Sequence, residues 1–266
     1  MTQPNPAEIW RSYGEHAARL LARGPSPRSV IGERFFFVAS GSPHVDLNQA
    51  ALYSEAGRAD ALEIARLATL ADVPVLLGCS AAVPEDVKGS LKAAEFIRFT
   101  RHENLFWMPG TPPRSANTPF RVRRMTTESD VAAMVAMFTE IHGYDPALTR
   151  SLFGTLDPAD SEVSCWIAWD ADEAVSLAFI TRAQKSLGLW EVMTPVRHRR
   201  RGGARAVVVA GLDEVARTID RLDHTVFWSS PAGRPLYVAL GFGIADEIDV
   251  WVRGASEADL AAVGAG

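Results

Sequence analysis

Hydrophobic positions along the chain follow two periods. Over residues 126–141 the segment TTESDVAAMVAMFTEI places Val131, Met134, Val135, Phe138 and Ile141 at spacings of three and four, one face of a helix. Thr127 and Asp130 stand at capping-box spacing at its start. A second stripe, Val208, Leu212, Val215, Ile219 and Leu222, predicts a helix over 203–222. Between these helices, SCWIAWD, AVSLAFITRA and LGLWEVMT are short apolar runs joined by turns such as DADE, and they predict three successive strands. FRVRRM (120–125) alternates as a strand ahead of the first helix. After the second come the strand HTVFWSS, the short helix PAGRPLYVALGF ending in Gly241, and a last strand, ADEIDVWVRG. The order β-α-β-β-β-α-β-α-β predicts an α/β domain with a mixed central sheet flanked by helices.

The N-terminal part is less regular. Residues 8–23 are amphipathic, FFFVAS is β-rich, and 60–71 reads as a helix with Leu62, Ile64 and Leu67 as core positions. VPVLLGC (73–79) predicts a short apolar strand, VPEDVKGSLKAAEF a helix opened by Pro84 and acidic residues, and IRFTRHENLFWM a final strand. The stretch PGTPPRSANTP (109–119) has four prolines and no periodic apolar residues, so it predicts an extended linker. The expected organisation is a domain over 1–108, a linker over 109–119, a second domain over 120–254 and a tail over 255–266.

Composition narrows the class. The 266 residues are 47% apolar and 22% charged, an ordinary globular balance, and at about 150 residues per domain they make a little under two domains. Twenty-seven basic against 32 acidic residues give a net charge of −5, which argues against a general nucleic-acid or anionic-membrane binder. The two cysteines, Cys79 and Cys165, form no CxxC, and Cys165 is expected to be a buried apolar residue. The N-terminus does not read as a signal peptide, and no apolar run reaches the length of about 18 residues that a membrane span needs. The expectation is a cytoplasmic protein. The histidines show neither HxxxH nor HxH spacing, so no metal site is expected. Trp166, Trp169 and Trp190 fall on strands and are expected in the core.

The chemistry concentrates in VMTPVRHRRRGGARAVVV (192–209). A strand ends at Thr194-Pro195, a loop of four arginines and a histidine follows, and two glycines open a helix. Helix N-termini present unsatisfied N–H groups and the positive end of the macrodipole. Glycines let a ligand approach the backbone, and arginines add charge and bidentate donors. The junction predicts an anion site, best suited to a pyrophosphate. The same cluster also reads as a solvated surface or a weak RNA patch. GxGxxG and GxxxxGK[ST] are absent, against a dinucleotide fold or a P-loop. His198 is expected on the phosphate side or in solvent.

Arg199-Arg200-Arg201-Gly202-Gly203-Ala204 fits the [QR]-x-x-G-x-[GA] signature of the GNAT N-acetyltransferase superfamily. FWSSPAGRPLYVALGF (227–242), with Tyr237 four residues before Gly241-Phe242, resembles that family's second signature. The likeness covers 120–253 in element order and implies the acyl-CoA N-acyltransferase fold, with acetyl-CoA as cosubstrate and an amine as acceptor. It implies that Val192, Met193 and Thr194 hydrogen-bond the pantetheine arm as an added strand. The amides of Arg200, Arg201, Gly202, Gly203, Ala204 and Arg205 would face the pyrophosphate, with Arg199 holding the loop in shape. Ser229 and Ser230 would touch the cofactor, and Tyr237 would protonate the departing thiolate. Glu191, just before the binding strand segment, is the candidate general base; it also reads as a strand-edge carboxylate paired with Arg197 or Arg199. One residue more than the family's usual loop precedes Arg199. Gly211 weakens its helix by about 1 kcal/mol against Ala, which implies another backbone packing close.

The first half resembles a degenerate copy of the same fold, with Glu95-Phe96 where Gly-Phe stands in the second. It carries no pyrophosphate signature, so no cofactor is expected there; an unrelated α/β domain is the other reading. For the whole chain, an acetyltransferase acting by direct attack in a ternary complex stands beside a non-catalytic acyl-CoA-binding or regulatory protein. The residues leave open whether the acceptor is a small amine, an aminoglycoside-like compound, an amino acid or a peptide amine. They leave the oligomeric state open too.

Overall fold

The computed structural model describes residues 4–110, 118–154 and 162–255. Most of the expected 109–119 linker and of the 255–266 tail lies outside the described residues. Helix α1 (Pro6–Leu21) starts where the Asn5 side chain accepts from the Ala7 amide, and it buries Trp10, Tyr13, Ala17 and Leu20. Strands β1 (Arg28–Ile31), β2 (Phe35–Ala39) and β3 (Asn48–Leu52) form an antiparallel meander. Helix α2 (Arg58–Ala71) returns the chain so that β4 (Val75–Ser80) runs parallel to β3. Helix α3 (Glu85–Ala93) and β5 (Ile97–Pro109) follow. The buried face of α2 is Ala61, Ile64 and Ala68, so Leu62, one step round the helix, is exposed rather than in the core.

The rest of the chain gives β6 (Arg121–Arg124), α4 (Glu128–His142), α5 (Pro146–Phe153), β7 (Val163–Asp170), β8 (Glu173–Ala183) and β9 (Ser186–Met193). Helix α6 (Gly203–Ala216), β10 (His224–Ser229), α7 (Arg234–Ala239) and β11 (Gly243–Arg253) complete it. The capping box forms: Thr127 Oγ1 accepts from the Asp130 amide, and Asp130 accepts from the Thr127 amide at 3.0 Å. Helix α6 stops short of the predicted end at 222. The amide and hydroxyl of Thr218 both donate to the Val215 carbonyl and close the last turn, so Ile219 and Leu222 lie beyond the helix. No helix among the described residues is long and apolar enough to cross a membrane.

The chain divides into two compact units, 1–107 together with 228–266, and 108–227. In the first, the strands run β1-β2-β3-β4-β11-β5; in the second, β10-β9-β8-β7-β6, with β10 counted through Phe227 and its last two residues in the first unit. The sequence reading keeps residues 120–254 together, whereas residues from 228 onward cluster with 1–107. β11 pairs antiparallel with β4 on one edge and β5 on the other. Periodicity identifies a strand but not its partners. Charge fixes this one in place: buried Asp249 on β11 accepts from Arg98 at 2.8 Å and lies 3.0 Å from Lys88 Nζ, whose side chain is 5% exposed. Burial disfavours the Asp249 carboxylate, but the hydrogen bonds from Arg98 and Lys88 outweigh that and hold its carboxyl below the usual range.

Helices α3 and α7, both in the first unit, end alike. After α3, Glu95 takes φ +66° and the Phe96 amide reaches back to the Leu91 carbonyl at 3.0 Å. After α7, Gly241 takes φ +89° and the Phe242 amide reaches back to the Tyr237 carbonyl at 3.1 Å. Both turns are the same left-handed helix stop with a buried phenylalanine after it. Leu91 stands where Tyr237 stands, which fits a duplicated unit whose first copy carries no phenol.

In the second unit α6 lies against β7 and β8. A Cβ on Gly211 would meet Ile180 Cδ1 at 2.7 Å and Trp166 Cγ at 3.0 Å, so the close neighbours are side chains and not a backbone. Gly211→Ala is therefore expected to lower stability. The gain of about 1 kcal/mol in helix propensity is outweighed by overpacking of about 1–3 kcal/mol, and thermal unfolding reads the sign.

Candidate functional site

The chemistry of the second unit gathers at the end of β9. Phe179 of β8 faces Trp190 and Leu177 faces Met193, so β9 has two residues where β8 has one. This bulge puts Glu191 at φ +47°, a conformation that costs a non-glycine residue about 1 kcal/mol or more. On its other edge β9 pairs in parallel with β10 over residues 186–188, and among the described residues 189–193 have no strand partner there. In the first unit, by contrast, β3 stays paired with β4 through its last residue, Leu52 opposite Cys79.

Below the bulge the strand end is fixed from β8. Ser176 Oγ donates to the Met193 carbonyl at 2.7 Å, which leaves Thr194 Oγ1, 2.9 Å away, to donate to Ser176. A turn of 3-10 helix over Val196–His198 follows, and Arg199 Nε reaches back to the Thr194 carbonyl at 3.3 Å. Then Arg200 (φ +64°) and Gly202 (φ +91°) turn the chain into α6. The first intrahelical bond is Ala206 to Gly202. The amides of residues 200–205 find no acceptor among the described residues, a run of donors at the positive end of a helix. Gly203 presses this junction onto β8: a Cβ there would stand 3.2 Å from Ser176 Cβ.

The arginines divide into two groups. Arg197 pairs with Glu140 of α4 and lies 3.5 Å from Glu173; Arg201 pairs with Asp170 and lies over the Phe120 ring, 6.0 Å from its centroid. Arg200 and Arg205 have no side-chain partner among the described residues. His198 is not in solvent. It is buried, with Nε2 2.9 Å from Glu173 and Nδ1 3.2 Å from an Arg201 nitrogen. Glu191 pairs with neither Arg197 nor Arg199. Its Oε2 lies 3.5 Å from Nε2 of His142, the last residue of α4, which packs against Phe138 and Tyr144. Both side chains of this pair keep some exposure.

The remaining sequence candidates lie in the first unit. Tyr237 is buried against Phe106 and Phe242, at centroid distances of 5.6 and 6.2 Å. Burial pushes its phenol up, so it carries its proton throughout the physiological range. A Cβ on Gly233 would fall 2.5 Å from Ser229 Oγ and 2.9 Å from Tyr237 Cε2, so a larger residue there would displace the Ser229 hydroxyl or the Tyr237 ring. Ser229 Oγ donates to the Ser230 carbonyl at 3.1 Å.

No protein-family model matches the chain, and no curated protein does. Solved structures do. A GCN5-related N-acetyltransferase from Kribbella flavida superposes with TM-score 0.66 at 14% identity, covering 93% of this chain and 96% of that one. One from Sphaerobacter thermophilus gives 0.59 at 14% identity, with 94% of each chain covered. The fold is that of the GCN5-related N-acetyltransferases. A tandem GNAT protein from the clavulanic acid biosynthesis pathway matches with TM-score 0.57 at 13% identity over 94% of this chain and 96% of that one, so the likeness spans both halves. Identities this low speak for the GNAT fold alone.

Sequence reasoning singled out loop 199–205 and Glu191 but not His142, which the structure brings to 3.5 Å from the Glu191 carboxylate. Its only local signal was its place on the last turn of α4; nothing local shows that this turn ends beside the β9 bulge. Among the described residues no three His, Cys, Asp or Glu side chains gather as a metal site would need.

Proposed function

We propose that the chain is an acetyl-CoA-dependent N-acetyltransferase acting on a primary amine by direct attack in a ternary complex. The observation that carries this is the run of six amides at 200–205 without an acceptor, beside a β9 edge without a strand partner from residue 189 onward, both among the described residues. The amides, with Arg200 and Arg205, match a pyrophosphate. The open edge matches the amide groups of a pantetheine arm, which would pair with Val192, Met193 and Thr194 like an added strand. Arg199 holds the loop in shape.

In the reaction, the amine nitrogen attacks the thioester carbonyl and gives up a proton, for which Glu191 is the acceptor. A backbone N–H of the open β9 edge would stabilise the negative charge on the carbonyl oxygen. As the C–S bond breaks, the CoA thiolate takes a proton; the sequence resemblance assigns that proton to Tyr237 and cofactor contacts to Ser229 and Ser230.

Calorimetric titration of acetyl-CoA and CoA tests the reading. Micromolar binding, about −8 kcal/mol, followed by thiol release on adding amines, is expected. Tyr237→Phe should slow thiol release while leaving CoA affinity unchanged. Binding without release on any amine would favour a non-catalytic acyl-CoA-binding protein, and no binding would overturn the proposal.

A further inference from the structure

Of the arginines in the loop, Arg201 is the one held by three partners of its own unit. Its guanidinium is claimed three times: by the Asp170 carboxylate, by His198 Nδ1 at 3.2 Å, and by the face of Phe120. An arginine only donates, so His198 Nδ1 accepts; its Nε2 then carries the proton that Glu173 accepts at 2.9 Å. This fixes one neutral tautomer in a chain Glu173–His198–Arg201–Asp170 that ties the loop to both ends of the β7–β8 turn. Arg201 also sits between the two left-handed residues, Arg200 and Gly202. Left-handed backbone at a non-glycine residue persists only where its surroundings enforce it.

We propose that Arg201 is a positioning residue: tethered by Asp170 and by His198 with its partner Glu173, it holds the amides of 200–205 in their anion-binding arrangement and leaves the guanidinium groups of Arg200 and Arg205 to a bound phosphate. This rests on the reading that the loop binds the CoA pyrophosphate.

Two carboxylates in a tether make the test one of sign. Asp170→Asn and Glu173→Gln each remove a negative charge near an anion site. Electrostatics alone predicts tighter binding. The tether predicts weaker binding: if the competent loop falls to about a tenth of the population, Kd rises about tenfold. Titrations of CoA and of inorganic pyrophosphate into wild type and both variants read this directly. Weaker binding in the variants supports the tether; unchanged or tighter binding overturns it.

Substitutions of His198 separate its two contacts. Asn can keep an acceptor at the Nδ1 position, whereas Gln mimics Nε2 and Leu keeps only bulk. His198→Asn should therefore retain more affinity than His198→Gln or His198→Leu, and equal loss in all three would reduce His198 to packing and overturn its place in the tether. Pyrophosphate binding without CoA binding would sink the acetyltransferase reading while still testing the tether, and binding of neither ligand would sink both.

Discussion

Replacing Gly202 by glutamate is expected to abolish CoA binding while the protein still folds. Gly202 holds φ +91° at the entry to α6, and a Cβ built there meets nothing within 4 Å. A side chain therefore brings backbone strain and its own charge but no clash. Gly202→Ala isolates the strain, of order 1–3 kcal/mol for such a conformation, and should cost stability and a modest part of the affinity. Glutamate adds a carboxylate within reach of the six free amides, where it competes for the donors a phosphate would use and repels the phosphate as well. A loss of at least about a hundredfold relative to Gly202→Ala, about 2.7 kcal/mol, is expected by calorimetry. Gly202→Lys carries the same strain with the opposite charge and should bind at least as well as the alanine variant. If alanine, lysine and glutamate behave alike, the anion does not sit on this loop.

What the sequence showed and what it hid divide along the range of the interactions. The Thr127–Asp130 capping box, the strands β7 to β9 and the glycines opening α6 are set by neighbours within a few residues, and the pattern of residues states them outright. The partners of β11 are not local: Val250 faces Gly78 on β4, and the charges that clamp Asp249 come from α3 and β5. Nothing in ADEIDVWVRG names those neighbours. The arginine loop was visible as a cluster, but its division of labour was not. Arg197 is matched by Glu140, 57 residues away, and Arg201 by Asp170, 31 residues away, so which guanidinium groups remain for a ligand is decided by the fold. The left-handed backbone of Glu191 is hidden for the same reason: a bulge belongs to a pair of strands, and its position depends on how β8 and β9 register.

That bulge gives the second large expectation. Glu191→Gln keeps the length and hydrogen-bonding capacity of the side chain and a non-glycine φ, and removes only the charge that accepts the amine proton. Turnover should fall by about 10²–10⁴, the range general-base catalysis contributes, with CoA affinity unchanged because the pyrophosphate loop is untouched. A variant that keeps its turnover would move the base elsewhere. His142, 3.5 Å from the Glu191 carboxylate, is the neighbouring titratable group to examine in that case. Glu191→Gly should lose activity as the glutamine variant does, yet gain stability, because glycine adopts φ +47° without the strain of about 1 kcal/mol or more that glutamate bears. A rise in unfolding temperature together with a fall in turnover would show that the backbone strain at this bulge is kept for the chemistry of the carboxylate it presents. If Glu191→Gly is both less stable and less active, the glutamate side chain is holding the strand end in place, and its contribution to turnover is structural.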